Sequence, residues 1–154
     1  MTKQKITPFL WFDNQAEEAA RFYTSIFKNS KILTVSPGPT GAAMVVNFQI
    51  EGQELIALNG GPRFQFTEAF SLVVNCNTQE EVDDYWAKLT AGGGEESMCG
   101  WLKDKFGFSW QIVPVQLAKF LSDKDPQRAG RVMQAMLQMK KIDIATLERA
   151  HQKS

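Results

Sequence analysis

Hydrophobic and polar positions along this chain follow a pattern that occurs twice. In FLWFDNQAEEAARFYTSIF, residues 9–27, a short run of branched and aromatic residues leads through an acid-rich turn into a one-sided apolar stripe. SLVVNCNTQEEVDDYWAKL, residues 71–89, repeats this at an offset of about 62 to 63 residues. Glu17-Glu18 then fall on Glu80-Glu81, and Phe22-Tyr23 on Tyr85-Trp86. Such self-similarity is weighed before single elements, because it sets the architecture. Each run predicts a strand and each stripe a helix, with Ala16, Ala19, Ala20, Tyr23 and Phe27 inward in the first copy and Val82, Tyr85, Trp86 and Leu89 in the second. Thr78 is a helix-capping residue with Glu81 three positions on. After the first helix, KILTVS, AMVVNFQI and ELIAL read as strands, turned at Pro37-Gly38-Pro39 and Glu51-Gly52-Gln53. After the second, Gly92-Gly93-Gly94 ends the helix, and ESMCGWLKD and SWQIV flank a turn at Lys105-Phe106-Gly107. The pattern predicts a single α+β domain over residues 1–154, with βαβββ modules at 5–58 and 68–113 and C-terminal helices within 115–152.

In that extension, Asp125-Pro126 reads as a helix cap followed by proline in the first turn. Val132, Met133, Met136, Leu137 and Lys140 follow at helical spacing. Asp143 caps a last helix carrying Ile144, Leu147 and Ala150 on one side. Met133, Met136 and Met139 are expected to pack against the sheets or a second subunit, with an adaptable lid over a ligand as the alternative.

Composition narrows the partners. The chain has 154 residues, 44% of them hydrophobic, and its 17 basic residues balance 17 acidic ones. Zero net charge gives no basic footprint for nucleic acid. No apolar run approaches the 18 or more residues that would span a membrane. Two cysteines, Cys76 and Cys99, are too few for a disulfide framework, so the expectation is a reduced, cytoplasmic protein with both as small buried thiols.

The repeat resembles the vicinal oxygen chelate superfamily, the glyoxalase I and bleomycin-resistance group, and within it the PhnB-like branch labelled 3-demethylubiquinone-9 3-methyltransferase. The segments that carry the resemblance are ITPFLWF, AEEAARFYTSIF, ALNGGPRFQF, SLVVNC, TQEEVDDYW, CGWLKDKFGFSWQIVP and VMQAMLQMKKIDIATLERA. It implies two curved sheets around an open cleft, a small organic ligand, and frequent pairing as a homodimer.

Members of this superfamily often hold a divalent ion through His and Glu. Carried onto this chain, those positions fall at about Pro8, at its repeat mate Ser71, at Gln111 where metal-binding relatives have Glu, and at Ile56 or a neighbour in LIAL. These residues offer few donors for a divalent cation, and the sole histidine is His151. The expectation is therefore no metal. The methyltransferase label would need a Gly-rich loop leading into a helix. Here the first strand leads into DNQAEEA, and Gly60-Gly61 reads as a tight turn rather than a phosphate cradle. No cofactor is expected. Cys99 has no histidine base near it in sequence, which removes a Cys-His nucleophile. Neighbouring glutamates point about 100° apart on a helix and form no acid–base dyad.

Binding remains. If Gln111 points into the cleft as the resemblance implies, Ser71 and Ile56 line it with Gln111, while Trp110 and Ile112 face the helices. Asn59, Arg63 and Asn47 are secondary anchors. The functional expectation is a small-molecule-binding protein with a metal-free cleft. The alternative is a metal-independent enzyme in which Gln111, Ser71 or a backbone group polarises a carbonyl.

Overall fold

A computed structural model describes residues 4–153. These form two compact units, the first ending at Phe66 and the second starting at Thr67.

In the first unit, β1 (Phe9–Phe12) leads to α1 (Ala16–Ile26), followed by β2 (Lys31–Pro37), β3 (Ala43–Ile50) and β4 (Gln53–Asn59). The sheet order is β1-β4-β3-β2, with β1 parallel to β4 and the other neighbours antiparallel. Strand residues alternate between faces, and the alternation here separates core from open surface. Leu10, Phe12, Val46, Phe48, Leu55 and Ala57 are buried, as are Ala16, Ala19, Ala20 and Tyr23 of α1. Alanines let the helix lie close to the sheet, and the Tyr23 ring stacks on Phe48 with centroids 6.2 Å apart. Phe9, Trp11, Val45, Asn47, Ile56 and Leu58 point to the opposite, more open face. The β3–β4 hairpin turns at Glu51 and Gly52, both with positive φ, the backbone twist that suits a two-residue hairpin loop.

The second unit repeats the plan. β5 (Ser71–Cys76) leads to α2 (Gln79–Thr90), β6 (Glu95–Glu96), β7 (Trp101–Lys103) and β8 (Ser109–Pro114). The order is β5-β8-β7-β6, again with its first pair parallel. Val82, Trp86 and Leu89 of α2 are buried, as are Cys76, Leu102, Trp110 and Ile112 of the sheet. The Thr78 hydroxyl accepts from the Glu81 N–H at 3.2 Å, and a Glu81 carboxylate oxygen accepts from the Asn77 N–H at 3.0 Å. That reciprocal cap fixes where α2 starts.

Two details differ from the sequence reading. ESMCGWLKD does not run as one strand. It breaks between β6 and β7, where Cys99 (φ 60°) and Gly100 (φ 84°) turn left-handed. A Cβ on Gly100 would lie 2.9 Å from the Ile112 carbonyl oxygen, so the close approach to β8 requires glycine. The break is closed from outside the sheet, with Cys99 N–H donating to the Met139 carbonyl and Gly100 N–H to that of Lys140. Second, the repeat slips by one residue. Helix positions such as Tyr23 and Trp86 correspond at 63, but strand faces correspond at 62, Leu10 with Leu72 and Phe12 with Val74. The strand mate of Ser71 is thus Phe9 rather than Pro8, and the mate of Gln111 is Leu58, since Trp11 pairs with Leu58 as Val73 pairs with Gln111.

Three helices follow, α3 (Val115–Leu121), α4 (Pro126–Leu137) and α5 (Ile144–Gln152). Asp125 and Asp143 cap α4 and α5 through their side chains. Leu117, Val132, Ile142 and Leu147 form a small core joined by Ala135, Met136 and Met139. The packed line of α4 is therefore 132, 135 and 136, turned from the expected stripe, with Met139 joining the core from just beyond the helix end. Met133 and Leu137 remain exposed. No helix among the described residues is long and apolar enough to cross a membrane.

Candidate functional site

β8 places Trp110, Ile112 and Pro114 under the helices, so Ser109, Gln111 and Val113 take the opposite face. β5 does the same with Ser71, Val73 and Asn75. In this setting the Gln111 Nε2 donates to the Ser71 Oγ at 2.9 Å. Both side chains are half-buried, and their strand neighbours are Val73 and Trp101 on either side of Gln111. The result is a polar pair with Val73 and Trp101 beside Gln111 and Ser109 opposite Ser71. The free lone pairs of Gln Oε1 and the serine hydroxyl can accept, and the second amide hydrogen can donate.

The other expected anchors lie in the first unit. Asn47 and Ile56 are cross-strand neighbours on its open face, and Asn47 Nδ2 donates to Thr34 Oγ1 at 2.8 Å. Asn59 has a structural task. Its Oδ1 accepts from the Ala16 N–H at 2.8 Å, and its Nδ2 donates to the Ala43 carbonyl at 3.0 Å. Because Gln15 provides no side-chain cap, Asn59 caps α1 from a distant strand. Arg63 is exposed, its guanidinium 5.4 Å from the Phe64 ring centroid.

The glycine pair is a packed turn. Gly60 N–H donates to the Phe12 carbonyl and Gly61 N–H to that of Asp13, while Trp11 Nε1 donates to the Gly61 carbonyl at 2.8 Å. With both amides engaged and no helix behind them, this loop does not fit a phosphate-bearing or methyl-donor cofactor. Nor do the superfamily's metal positions fit a divalent ion. Phe9 and Leu58 have no donor, and Ser71 and Gln111 bring only a hydroxyl and an amide. Among the described residues no group of three or more His, Cys, Asp or Glu side chains could hold a metal.

Sequence reasoning missed four residues. Asp104 is buried, and its Oδ1 accepts from the N–H groups of Phe106 (2.9 Å) and Phe108 (3.1 Å) while Oδ2 accepts from Trp110 Nε1 (2.9 Å). It organises the β7–β8 turn. Lys103, Ser109 and Glu95 form a row across β7, β8 and β6, since Lys103 pairs with both Ser109 and Glu95. Strict alternation from Gln111 and Trp101 would have found them. Lys103 Nζ lies 2.5 Å from a Glu68 carboxylate oxygen. That hydrogen bond lowers the Glu68 pKa and raises that of Lys103.

The cysteines and the histidine have surroundings of their own. Burial, then the nearby Glu81 charge, pushes the Cys76 thiol up to about 11. Cys99 is half-buried at the strand break rather than in the core. His151 stacks on Phe120 at 4.7 Å and meets Asp123 at 2.7 Å, tying α5 to the loop after α3.

A duplicated βαβββ module with one helix-covered and one open sheet face defines the vicinal oxygen chelate, or glyoxalase-like, fold. FosX, the fosfomycin resistance protein of Listeria monocytogenes, superposes with a TM-score of 0.59 at 19% identity, covering 80% of this chain and 100% of its own. PA1353 of Pseudomonas aeruginosa gives 0.61 at 18% identity, over 73% of this chain and 98% of its own. At those identities the likeness is one of fold. A PhnB protein of Bacillus cereus, provisionally described as a 3-demethylubiquinone-9 3-methyltransferase, is 38% identical with a TM-score of 0.68, over 73% of this chain and all of its own. The chain belongs to the family described as 3-demethylubiquinone-9 3-methyltransferase, which matches residues 4–113. No curated protein matches it.

Proposed function

We propose that this chain binds a small organic molecule on the open sheet face of its second unit, without a divalent ion, and that Gln111 and Ser71 anchor the ligand. The observation that carries the reading is the 2.9 Å Gln111–Ser71 pair, with Val73 and Trp101 on either side of Gln111. Apolar walls with a few convergent polar groups suit small organic ligands. Structures of FosX hold Mn(II) with sulfate, and a mutant of it holds Mn(II) with 1S,2S-dihydroxypropylphosphonic acid. This fold therefore accommodates small polar molecules, while the side chains present here favour an amide and a hydroxyl over an ion. In the first unit, Asn47 and Ile56 remain candidates, as does the exposed Arg63. Asn59 is committed to capping α1. The exposed Met133 and Leu137 of α4 support pairing with a second copy of the chain.

The test is native mass spectrometry of the purified protein to identify a co-purified ligand, followed by titration of that ligand into Gln111→Leu. Affinity is expected to fall about 5- to 150-fold, the equivalent of about 1–3 kcal/mol for stranding a buried polar partner, with little change in Tm. A lower Tm with intact affinity would make Gln111 a structural residue. About one bound Zn, Ni, Fe or Mn per chain, lost in Gln111→Leu, would overturn the metal-free reading.

A further inference from the structure

The row Glu95–Lys103–Ser109 lies beside a cavity of about 140 Å³ that is lined by Glu68, Glu95, Glu96, Trp101, Lys103 and Ser109, among others. Its most informative atom is the Ser109 hydroxyl. Ser109 is 1% exposed and its Oγ has no hydrogen-bond partner. A buried hydroxyl without a partner is destabilising, and natural structures keep few of them. Neighbouring Ser71, opposite Ser109 in register, is engaged with Gln111, so Ser109 is left facing the cavity alone.

The charges around it are unbalanced. Three carboxylates face one ammonium, and that ammonium is matched by Glu68 at 2.5 Å. Glu96 accepts from the buried Trp86 Nε1 at 2.7 Å, which fixes its carboxylate in place. Glu95 sits opposite Lys103 on the same face as Ser109. The cavity therefore carries a net negative charge, an unpartnered hydroxyl and a tryptophan. An indole face attracts organic cations, a serine oxygen accepts from their N–H groups, and carboxylates neutralise them. The volume equals roughly four to five waters' share of liquid, the size of a guanidinium or short alkylammonium group.

We propose that this cavity is a subsite for a small organic cation, a guanidinium or primary ammonium group, bound by Glu95, the Ser109 hydroxyl and Trp101. The subsite goes beyond the Gln111–Ser71 reading and does not depend on it.

The experiment is a two-dimensional amide and indole NMR titration of the full chain with methylguanidinium chloride at fixed ionic strength, with sodium acetate as the anionic counterpart. Saturable shifts of the Trp101 indole and Ser109 amide signals by methylguanidinium, and not by acetate, are expected. Glu95→Gln should weaken that binding at least fivefold. Ser109→Ala should weaken it to a similar degree while leaving Tm unchanged or higher, because the orphan hydroxyl contributes nothing to the unliganded fold. No saturable shift up to about 100 mM would overturn the proposal. So would saturation by acetate alone, which would assign the cavity to anions through Lys103. An unchanged affinity in both variants, or a lower Tm in Ser109→Ala, would also overturn it.

Discussion

Replacing Asp104 by asparagine probes the buried carboxylate that organises the β7–β8 turn. In the native chain three donors converge on it at 2.9–3.1 Å, two backbone N–H groups on Oδ1 and the Trp110 indole on Oδ2. The turn is closed as well by Gly107 N–H donating to the Asp104 carbonyl and by Asp104 N–H donating to that of Phe108. An asparagine keeps one acceptor oxygen. Whichever way its amide is turned, an NH₂ group meets a donor. The loss of one hydrogen bond to a charged group is about 1.5–3 kcal/mol. Easier burial of a neutral amide offsets some of this, so a net loss of about 2 kcal/mol is expected. At about 2–4 °C per kcal/mol for a chain of this size, Tm should fall by about 4–8 °C. Urea unfolding followed by tryptophan fluorescence and circular dichroism gives the free energy directly. Trp110→Phe removes the indole donor, so the double variant should lose less than the sum of the single ones, with a coupling of about 1 kcal/mol. Wild-type stability in Asp104→Asn, or strict additivity in the cycle, would refute the assignment of Asp104 as the hub of this turn.

Gly60→Ala should lower stability by about 1–3 kcal/mol, the usual range for overpacking. Its Cβ would fall 2.4–2.7 Å from the Trp11 ring, and that ring is held by Gly61 and packs edge-on to Phe64 at 5.0 Å. Thermal unfolding with a shift in tryptophan emission checks it. Asp123 is held below the usual carboxylate range by the Asp125 N–H first and by His151 second. Its folded pKa being lower, the contribution to stability is present above the ordinary carboxylate value near 3.9 and is lost as pH falls through the folded value. The stability gap between wild type and Asp123→Asn should therefore close on acidification below about pH 4, as followed by urea midpoints across pH.

Much of the fold can be read from local signals. The alanines of α1, the Thr78–Glu81 cap and the Asp125-Pro126 and Asp143 starts each have a local physical cause, and the helices lie where those residues put them. The details that escape are set by distant partners. Asn59 caps α1 across the chain, Asp104 acts by folding its own loop inward, and Cys99 adopts a left-handed conformation that cysteine rarely favours because residues 139 and 140 accept its hydrogen bond and that of Gly100. The one-residue slip between strand and helix offsets is likewise invisible until pairing fixes the faces. At the site, alternation along β5 and β8 puts Gln111 and Ser71 on one face. That Gln111 reaches diagonally to Ser71 rather than to its direct neighbour Val73, and that Ser109 is left without a partner, depends on side-chain packing no periodicity encodes.

The seam at Cys99 and Gly100 bears on how this chain relates to shorter members of its family. The family match ends at Val113 and the Bacillus cereus relative spans 73% of the chain, so the C-terminal helices look like an appendage. Yet carbonyls of Met139 and Lys140 complete the hydrogen bonding of the second module where its strand is broken. Host and addition have become interdependent. A version trimmed at Val113 would expose two amides at that seam and uncover Gly100. Restoring the shorter form would therefore require rewriting the Cys99-Gly100 bend into a continuous strand, as well as deleting the tail.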